Sequence, residues 1–150
     1  MRTFTLDEAI QVARRAHEGQ LDKSGRPYIG HPLRVMGSLR GEHERMAAVL
    51  HDVVEDTSVT LADLKAAGCP DEVLAAVAAI SKQPGEDQAA YLARVSANPI
   101  ARAVKRADIA DNMSPDRLAR LDAATQERLR AKYESALRQL GDLCPAPEMR

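Results

Sequence analysis

The sequence contains no tryptophan, and aromatic residues make up only 3% of its 150 positions. The core must therefore be built from Ala, Val, Leu, Ile and Met, a composition that suits closely packed helices. A chain of this length is long enough for one domain with a real hydrophobic core and too short for two.

A strong charge of either sign is also absent. Lys and Arg total 21 and Asp and Glu total 22, which leaves a net charge of -1. This balance gives no general attraction to nucleic acid or to a membrane surface, so an anionic ligand has to be bound by a local cluster. No apolar run approaches the about 18 residues of a membrane span, and the N-terminus lacks the apolar region of a signal peptide. We therefore expect a cytoplasmic protein without nucleic-acid or membrane partners.

Cysteine is scarce as well. Cys69 and Cys144 lie far apart and have no metal-binding spacing. We expect two unpaired thiols in a reducing compartment.

Signals for β-strands are missing, because no run alternates β-branched and polar residues between turn dipeptides. Helix signals occur instead, as capping boxes, first-turn prolines and terminal glycines. The sequence predicts an all-α single domain of seven or eight helices over residues 1–141, with a flexible tail at 142–150. The predicted helices run from the Thr5 cap to Gly19, Pro32 to Leu39, Glu42 to Asp56, the Thr60 cap to Gly68, Pro70 to Ser81, Asp87 to Ala97, Pro99 to Met113, and Ala123 to Leu140.

One histidine and three acids interrupt the apolar segment AAVLHDVVEDT, residues 47–57. His51 and Glu55 are four residues apart, as are Asp52 and Asp56, so on one continuous helix each pair shares a face. A solvated charged face is the simpler explanation. However, valines and a leucine surround these positions, and burying carboxylates without partners is costly. A bound divalent cation would offset that cost.

Further ligands for such a cation have to come from other elements. His31 lies at the start of the second predicted helix, and Asp108 lies on the helix that begins at Pro99. His31, His51, Asp52 and Asp108 together offer two imidazoles and two carboxylates. That set suits a catalytic first-row divalent ion, and Mn²⁺, Fe²⁺, Zn²⁺ and Ni²⁺ all remain open.

The order of these residues resembles the H…HD…D signature of the HD-domain phosphohydrolases. The segments AHEGQLDKSGRPYIGHPLRV (16–35), AAVLHDVVEDT (47–57) and VKRADIADN (104–112) are more closely similar to the hydrolase domain of the RelA/SpoT family and its stand-alone small alarmone hydrolases. The resemblance implies a helical hydrolase domain over residues 1–141 that holds Mn²⁺ and removes the 3′-pyrophosphate from ppGpp or pppGpp, leaving GDP or GTP.

Roles for single residues follow from the same resemblance. It implies that His31, His51, Asp52 and Asp108 are the metal ligands and that Glu55 and Asp56 are the catalytic pair. It also implies that Lys23, Ser24 and Asn112 contact a small-molecule nucleotide substrate. Which acid activates water and which serves the leaving group is left open, as is a homo-oligomeric state.

Two departures from the family pattern concern the base. Asp22 stands where many relatives carry a basic residue able to stack on guanine, and no basic residue follows Asn112 closely. Cation–π stacking contributes about 0.5–2 kcal/mol, enough to alter base preference. Other nucleotides, such as (p)ppApp or NADPH, therefore remain alternative substrates, and a nucleotide-sensing module without turnover is a third hypothesis.

Further side chains near these segments also have predicted places. We expect Tyr28 to pack beneath its loop. We expect the side chains of Lys105 and Arg106 to lie on an exposed helix face, with the alternative that one of them faces a phosphate. Arg130, Lys132 and Tyr133 are candidates to close over the nucleotide, although the last helix does not align clearly with the family.

Overall fold

The computed structural model describes residues 3–22 and 25–141, and the regular structure within these ranges is helical. Ten helical segments follow one another: α1 Leu6–Ala16, α2 Gly30–Gly37, α3 Glu42–Leu50, α4 Val53–Asp56, α5 Leu61–Ala66, α6 Asp71–Ile80, α7 Gln88–Ser96, α8 Pro99–Asn112, α9 Pro115–Leu118 and α10 Ala123–Gln139. The described ranges contain no β-strand, only an isolated bridge between Leu21 and Pro27. The predicted all-α fold is confirmed.

Some predictions fall outside the described ranges. These are the two proposed substrate contacts Lys23 and Ser24, the second cysteine Cys144 and the tail 142–150. Cys69, by contrast, is described and is a buried free thiol, as predicted. No helix in residues 3–22 and 25–141 is both long enough and apolar enough to cross a lipid bilayer.

Helix α3 lies at the centre of the molecule, where it packs against α1, α2, α6 and α8. Its residues from Met46 to Leu50 are at most 2% exposed. The surrounding core consists mainly of Ala, Val, Leu and Ile, with few aromatic side chains, as the composition predicted. A metal ligand placed at the end of α3 is therefore carried by the most rigidly packed helix of the domain.

The start signals read from the sequence are confirmed at several helices. Thr5 with Glu8 and Thr60 with Asp63 form reciprocal capping boxes at α1 and α5. Asn98 caps α8 and is followed by a proline in the first turn. Each such cap contributes about 1 kcal/mol to stability, so these boundaries are set locally by the sequence.

The predicted helix from Glu42 to Asp56 is divided into α3 and α4, with His51 and Asp52 between them. In a continuous helix the carbonyl of Ala48 would accept the N–H of Asp52. Instead it accepts from His51, through both the backbone N–H at 3.4 Å and ring Nδ1 at 2.6 Å. The histidine side chain therefore competes for a helical acceptor and interrupts the ladder.

Two further boundaries differ from prediction. Helix α2 begins at Gly30, two residues before Pro32, so that His31 lies in its first turn. Helix α9, Pro115–Leu118, was not predicted, because one turn of four residues has no hydrophobic periodicity to read.

The loop between α6 and α7 is held by Arg94. Its guanidinium makes a bidentate ion pair with Glu86, at 2.8 and 3.1 Å. It also donates to the carbonyls of Ser81, at 2.9 Å, and Ala79, at 3.3 Å, at the C-terminal end of α6. This network fixes the loop that carries Lys82.

Replacing Arg94 with alanine should lower the free energy of unfolding by about 2 kcal/mol, because hydrogen bonds to charged groups contribute about 1.5–3 kcal/mol. Urea denaturation of the purified variant measures this change. Arg40→Ala is the matched control, since Arg40 is exposed in the turn before α3, and it should shift stability by less than about 0.5 kcal/mol. Equal effects of the two substitutions would show that the network does not stabilise the fold.

Candidate metal centre and adjoining cavities

Three buried side chains from three helical regions meet beside the core. His31 comes from α2, His51 from the end of α3 and Asp108 from α8, and one ligand atom of each lies within 4.8 Å of the others. Oδ1 of Asp108 lies 2.7 Å from His31 Nε2 and 3.3 Å from His51 Nε2. The structure thus brings together residues that are up to 77 positions apart in the sequence.

The break after α3 decides which nitrogen of His51 faces this cluster. Nδ1 lies 2.6 Å from the carbonyl oxygen of Ala48, which only accepts hydrogen bonds, so Nδ1 carries the proton. Nε2 then faces the cluster. Burial lowers the pKa of His51, but the charge of Asp52 and the hydrogen bond with Asp108 outweigh burial and raise this pKa well above its usual value. Because Nδ1 is fixed by a backbone carbonyl, Nε2 is the nitrogen of His51 that could bind a metal, in the neutral form of the ring.

Asp52 joins the cluster from the same break. Its Oδ2 lies 3.1 Å from His51 Nε2 and accepts the hydroxyl of Tyr28. Burial opposes ionisation of this carboxyl, but the charge and hydrogen bond of His51 prevail and lower its pKa to about 2. Burial and the charge of Asp52 raise the pKa of Tyr28 well above its usual value, so the hydroxyl stays a donor.

The expectation that Tyr28 only packs beneath its loop is therefore incomplete. Its ring does pack, 5.0 Å from the ring of His17 and 5.8 Å from that of His31, measured between centroids. However, its hydroxyl also binds Asp52 directly. The tyrosine supports one histidine and one carboxylate of the cluster together.

Asp108 is ionised despite its burial. Desolvation opposes its charge, but hydrogen bonds from His31 and His51 and the nearby Lys105 ammonium hold its pKa well below the usual range. Lys105 Nζ lies 3.2 Å from Asp108 Oδ2, and the lysine side chain is only 19% exposed. The prediction of an exposed helix face is wrong for Lys105, while Arg106 is exposed as predicted.

A second carboxylate on α8, Asp111, was missed by the sequence analysis. Its Oδ2 lies 2.7 Å from His31 Nδ1, and its two oxygens are also bound by Arg34 and Arg117. Burial opposes its ionisation, but the hydrogen bonds from His31, Arg34 and Arg117 hold its pKa well below the usual range. The available signal was its position, one helical turn after Asp108 on the same helix.

Glu55 and Asp56 lie on α4 and are exposed, so the expectation that they are buried among valines is wrong. Because the helix breaks before α4, the side chains of His51 and Glu55 do not share one continuous helical face. Glu55 Oε1 accepts the backbone N–H of Lys82 at 2.8 Å. Partial burial, followed by the charges of Asp52 and Glu55, raises the pKa of Asp56 above its usual value.

Two cavities adjoin the cluster on the side of α8 and α10. The smaller, of about 170 Å³, is lined by eleven residues that include Glu55, Asp108 and three lysines, Lys82, Lys105 and Lys132. The larger, of about 240 Å³, has walls of tyrosine and leucine together with Asp22 and Arg117. Among the sequence candidates on the last helix, Lys132 and Tyr133 line the smaller cavity, whereas Arg130 lies near Glu127, at 3.9 Å.

Asn112 lines both cavities and so lies between them. Its Nδ2 approaches Asp108 Oδ1 at 3.4 Å, and its Oδ1 accepts from Arg117 at 3.0 Å. Asp22 lines the larger cavity, while its Oδ1 accepts the backbone N–H of Arg26 at 3.0 Å. The two residues that the sequence analysis connected with substrate binding and base preference thus share one cavity.

Curated relatives match part of the chain. A segment of 64 residues, 40% of this chain, is 48% identical to the bifunctional (p)ppGpp synthase/hydrolase SpoT of Escherichia coli and covers 9% of that protein. A segment of the same length is 48% identical to the GTP pyrophosphokinase of Streptomyces coelicolor and covers 8% of it. The chain thus matches less than a tenth of the length of these relatives, whose names include both synthesis and hydrolysis.

A solved structure is similar over nearly the whole chain. It belongs to a metazoan ortholog of SpoT that hydrolyzes ppGpp, with a TM-score of 0.62 and 24% identity. The similarity covers 95% of this chain and 98% of that one, and it shows a shared fold. Residues 9–113, which include His31, His51, Asp52 and Asp108, match the family model described as HD domain. The chain therefore belongs to the HD domain family.

Proposed function

We propose that this protein is a metal-dependent pyrophosphohydrolase that removes the 3′-pyrophosphate of ppGpp or pppGpp and leaves GDP or GTP. The observation that carries the proposal is the meeting of His31, His51 and Asp108, with Asp52 3.1 Å from His51, beside a cavity that is lined by Asp108 and three lysines. The named activities of SpoT and of its metazoan ortholog point to the same substrate.

The donor set fits a divalent first-row cation. Nε2 of both histidines and Oδ1 of Asp108 lie close together, and Asp52 Oδ2 lies 3.1 Å from His51 Nε2. We assign these four side chains as the ligands and Mn²⁺ as the native ion. Bound there, the cation supplies Lewis-acid chemistry, since it makes water more acidic and neutralises charge developing on phosphoryl oxygens.

The lysines that line the smaller cavity offer positive charge to the negatively charged pyrophosphate. Lys82, Lys105 and Lys132 approach the cavity from three different segments, and Asp108 forms part of the same wall. Converging ammonium groups in a partly desolvated space bind phosphoryl oxygens strongly and neutralise their charge. The pyrophosphate would therefore lie between the lysines and the ligand cluster.

We assign the proton transfers of the reaction to the two acids of α4. Glu55 lines the same cavity as Asp108, and its carboxylate is fixed by the N–H of Lys82. We assign Glu55 as the group that takes the proton from the attacking water, because a general base must reach the reacting centre. Asp56 follows it on α4 and completes the catalytic pair. We assign Asp56 to the leaving 3′ oxygen, and partial burial with the charges of Asp52 and Glu55 raises its pKa, a direction that favours the protonated form.

We assign the nucleoside to the larger cavity. Tyr28 and Tyr133 give it aromatic walls, and Asn112 connects it with the pyrophosphate side. Asp22 offers a carboxylate in place of a stacking cation, and guanine presents N–H donors to such a group. Because Asp22 stands where many relatives carry a basic residue, (p)ppApp and NADPH are the second candidate substrates. The predicted cytoplasmic location and the roles of Lys23 and Ser24 stay predictions.

The substrate is tested with a panel of nucleotides. Purified protein is stripped of metal, supplied with Mn²⁺ and mixed with ppGpp, pppGpp, ppApp or NADPH, and the products are separated by chromatography. We expect GDP or GTP together with pyrophosphate, and no product without the cation. Release of product only from ppApp or NADPH would assign the second candidate, and no product from the guanosine nucleotides would reject the first.

Glu55→Gln should reduce turnover by about 10²–10⁴-fold, because it removes the base while keeping the size of the side chain. Nucleotide affinity, measured by isothermal titration with Mn²⁺ present, should remain within a few-fold of wild type. Glu127→Gln is the matched control, since Glu127 is 82% exposed on α10, and it should leave the rate unchanged. A wild-type protein that binds the nucleotides without turnover would support the sensing module instead.

His51→Ala and Asp108→Ala should each abolish both bound metal and activity, because each removes a ligand on which the others depend. Native mass spectrometry and elemental analysis measure the metal content. Chelation should also lower the melting temperature of the wild type, since the buried carboxylates lose their cation. Wild-type metal content in both variants would refute the ligand assignment.

A further inference from the structure

Asp111 contacts His31 on the side away from the ligand cluster. Its Oδ2 lies 2.7 Å from His31 Nδ1, while His31 Nε2 lies 2.7 Å from Asp108 Oδ1 on the other side of the ring. When its ring is neutral, as metal binding requires, a histidine between two carboxylates has two possible tautomers. Only the one with its proton on Nδ1 leaves Nε2 free to bind a metal.

Two arginines hold the carboxylate of Asp111. Arg34, from α2, binds both oxygens, with Nε 2.8 Å from Oδ1 and Nη2 3.2 Å from Oδ2. Arg117, from α9, places Nη1 2.9 Å from Oδ2. The Asp111 side chain is 12% exposed, so these charge-assisted bonds lie in a partly desolvated region where they are strong.

Arg117 also determines which atom donates the proton in the hydrogen bond between His31 and Asp111. Its Nη1 lies 2.9 Å from His31 Nδ1, 2.9 Å from Asp111 Oδ2 and 3.0 Å from Asn112 Oδ1. Nη1 has two hydrogens, and the two oxygens accept both. His31 Nδ1 therefore has no hydrogen to accept from Arg117 and donates its own proton to Asp111.

We propose that Asp111, clamped by Arg34 and Arg117, is the positioning residue that fixes the orientation and tautomer of His31 for metal binding. The inference rests on the metal site of the proposed function. It assigns to this chain a hydrogen-bonded outer layer that extends from α2 through α8 to α9. Removing the partner of a ligating histidine typically weakens metal affinity about 10–100-fold.

Asp111→Asn is the direct test, because it keeps the shape of the side chain and removes its charge. If the amide oxygen faces the arginines, its NH₂ group faces His31 Nδ1 and favours the wrong tautomer. If the amide oxygen instead faces His31, the NH₂ group faces the N–H donors of Arg34 and Arg117. Either arrangement should weaken Mn²⁺ binding by about 10–100-fold, measured by isothermal titration without nucleotide.

Asp116→Asn is the matched control. Asp116 also contacts two arginines, Arg26 at 3.3 Å and Arg120 at 3.6 Å, but it is 68% exposed. Its Mn²⁺ affinity should stay within about twofold of wild type. Arg34→Gln, at a half-exposed position, is a milder second variant that should weaken affinity by an intermediate factor, even if Asp111→Asn does not fold.

A spectroscopic readout separates positioning from a general effect on stability. In the wild-type protein loaded with Zn²⁺, nitrogen NMR of the histidine rings should show the His31 proton on Nδ1. A proton on Nε2, or unchanged Mn²⁺ affinity in folded Asp111→Asn and Arg34→Gln, would overturn the inference while leaving the proposed function intact. A wild-type protein that binds neither ion would overturn both.

Discussion

The candidate metal centre depends on one hydrogen bond, from the ring of His51 to the carbonyl of Ala48. This bond occupies the carbonyl oxygen that would accept the N–H of Asp52 in a continuous helix. Helix α3 therefore ends before Glu55 and Asp56. The hydrogen bond also fixes the proton on Nδ1 and presents Nε2 to Asp52 and Asp108. A single side chain therefore both breaks the helix and orients a ligand, at the end of the most deeply buried helix of the domain.

The second constraint is electrostatic. The side chains of Asp52, Asp108 and Asp111 are all largely shielded from water. Each receives at least one charged or strongly polarised donor, among them the hydroxyl of Tyr28 and the ammonium of Lys105. Lone buried charges are costly, whereas paired and hydrogen-bonded ones are tolerated. The arrangement keeps the carboxylates ionised, as metal binding requires.

What the sequence predicts well is local or chemically distinctive. The helices beginning at Thr5, Thr60 and Pro99 follow from cap and proline signals that act over a few residues. The cap signals act within a few residues, so no distant contact is needed to produce them. The meeting of His31 with Asp108 is a distant contact, and the sequence predicted it only because the ligand types and the order of the motifs resemble the HD-domain pattern.

What the sequence does not predict depends on side-chain contacts that leave no periodic pattern, some of them local and some between distant segments. The break at His51 arises from a side chain competing with its own backbone, which no periodicity reveals. Lys105 was placed on an exposed face because its partner, Asp108, and the packing of Tyr91 appear only in three dimensions. The support of His31 by Arg117 joins residues 86 positions apart, and α9, which carries that arginine, is too short to leave a hydrophobic pattern.

The family match ends at residue 113, yet the chain beyond it completes the centre. Arg117 supports a ligand from behind, and Lys132 and Tyr133 form walls of the adjoining space. The four assigned ligands lie wholly within the matched portion, while part of the lining of the two adjoining cavities lies outside it. Such a division allows ligand preference to diverge among relatives through changes in α9 and α10, with the ion-binding framework left untouched.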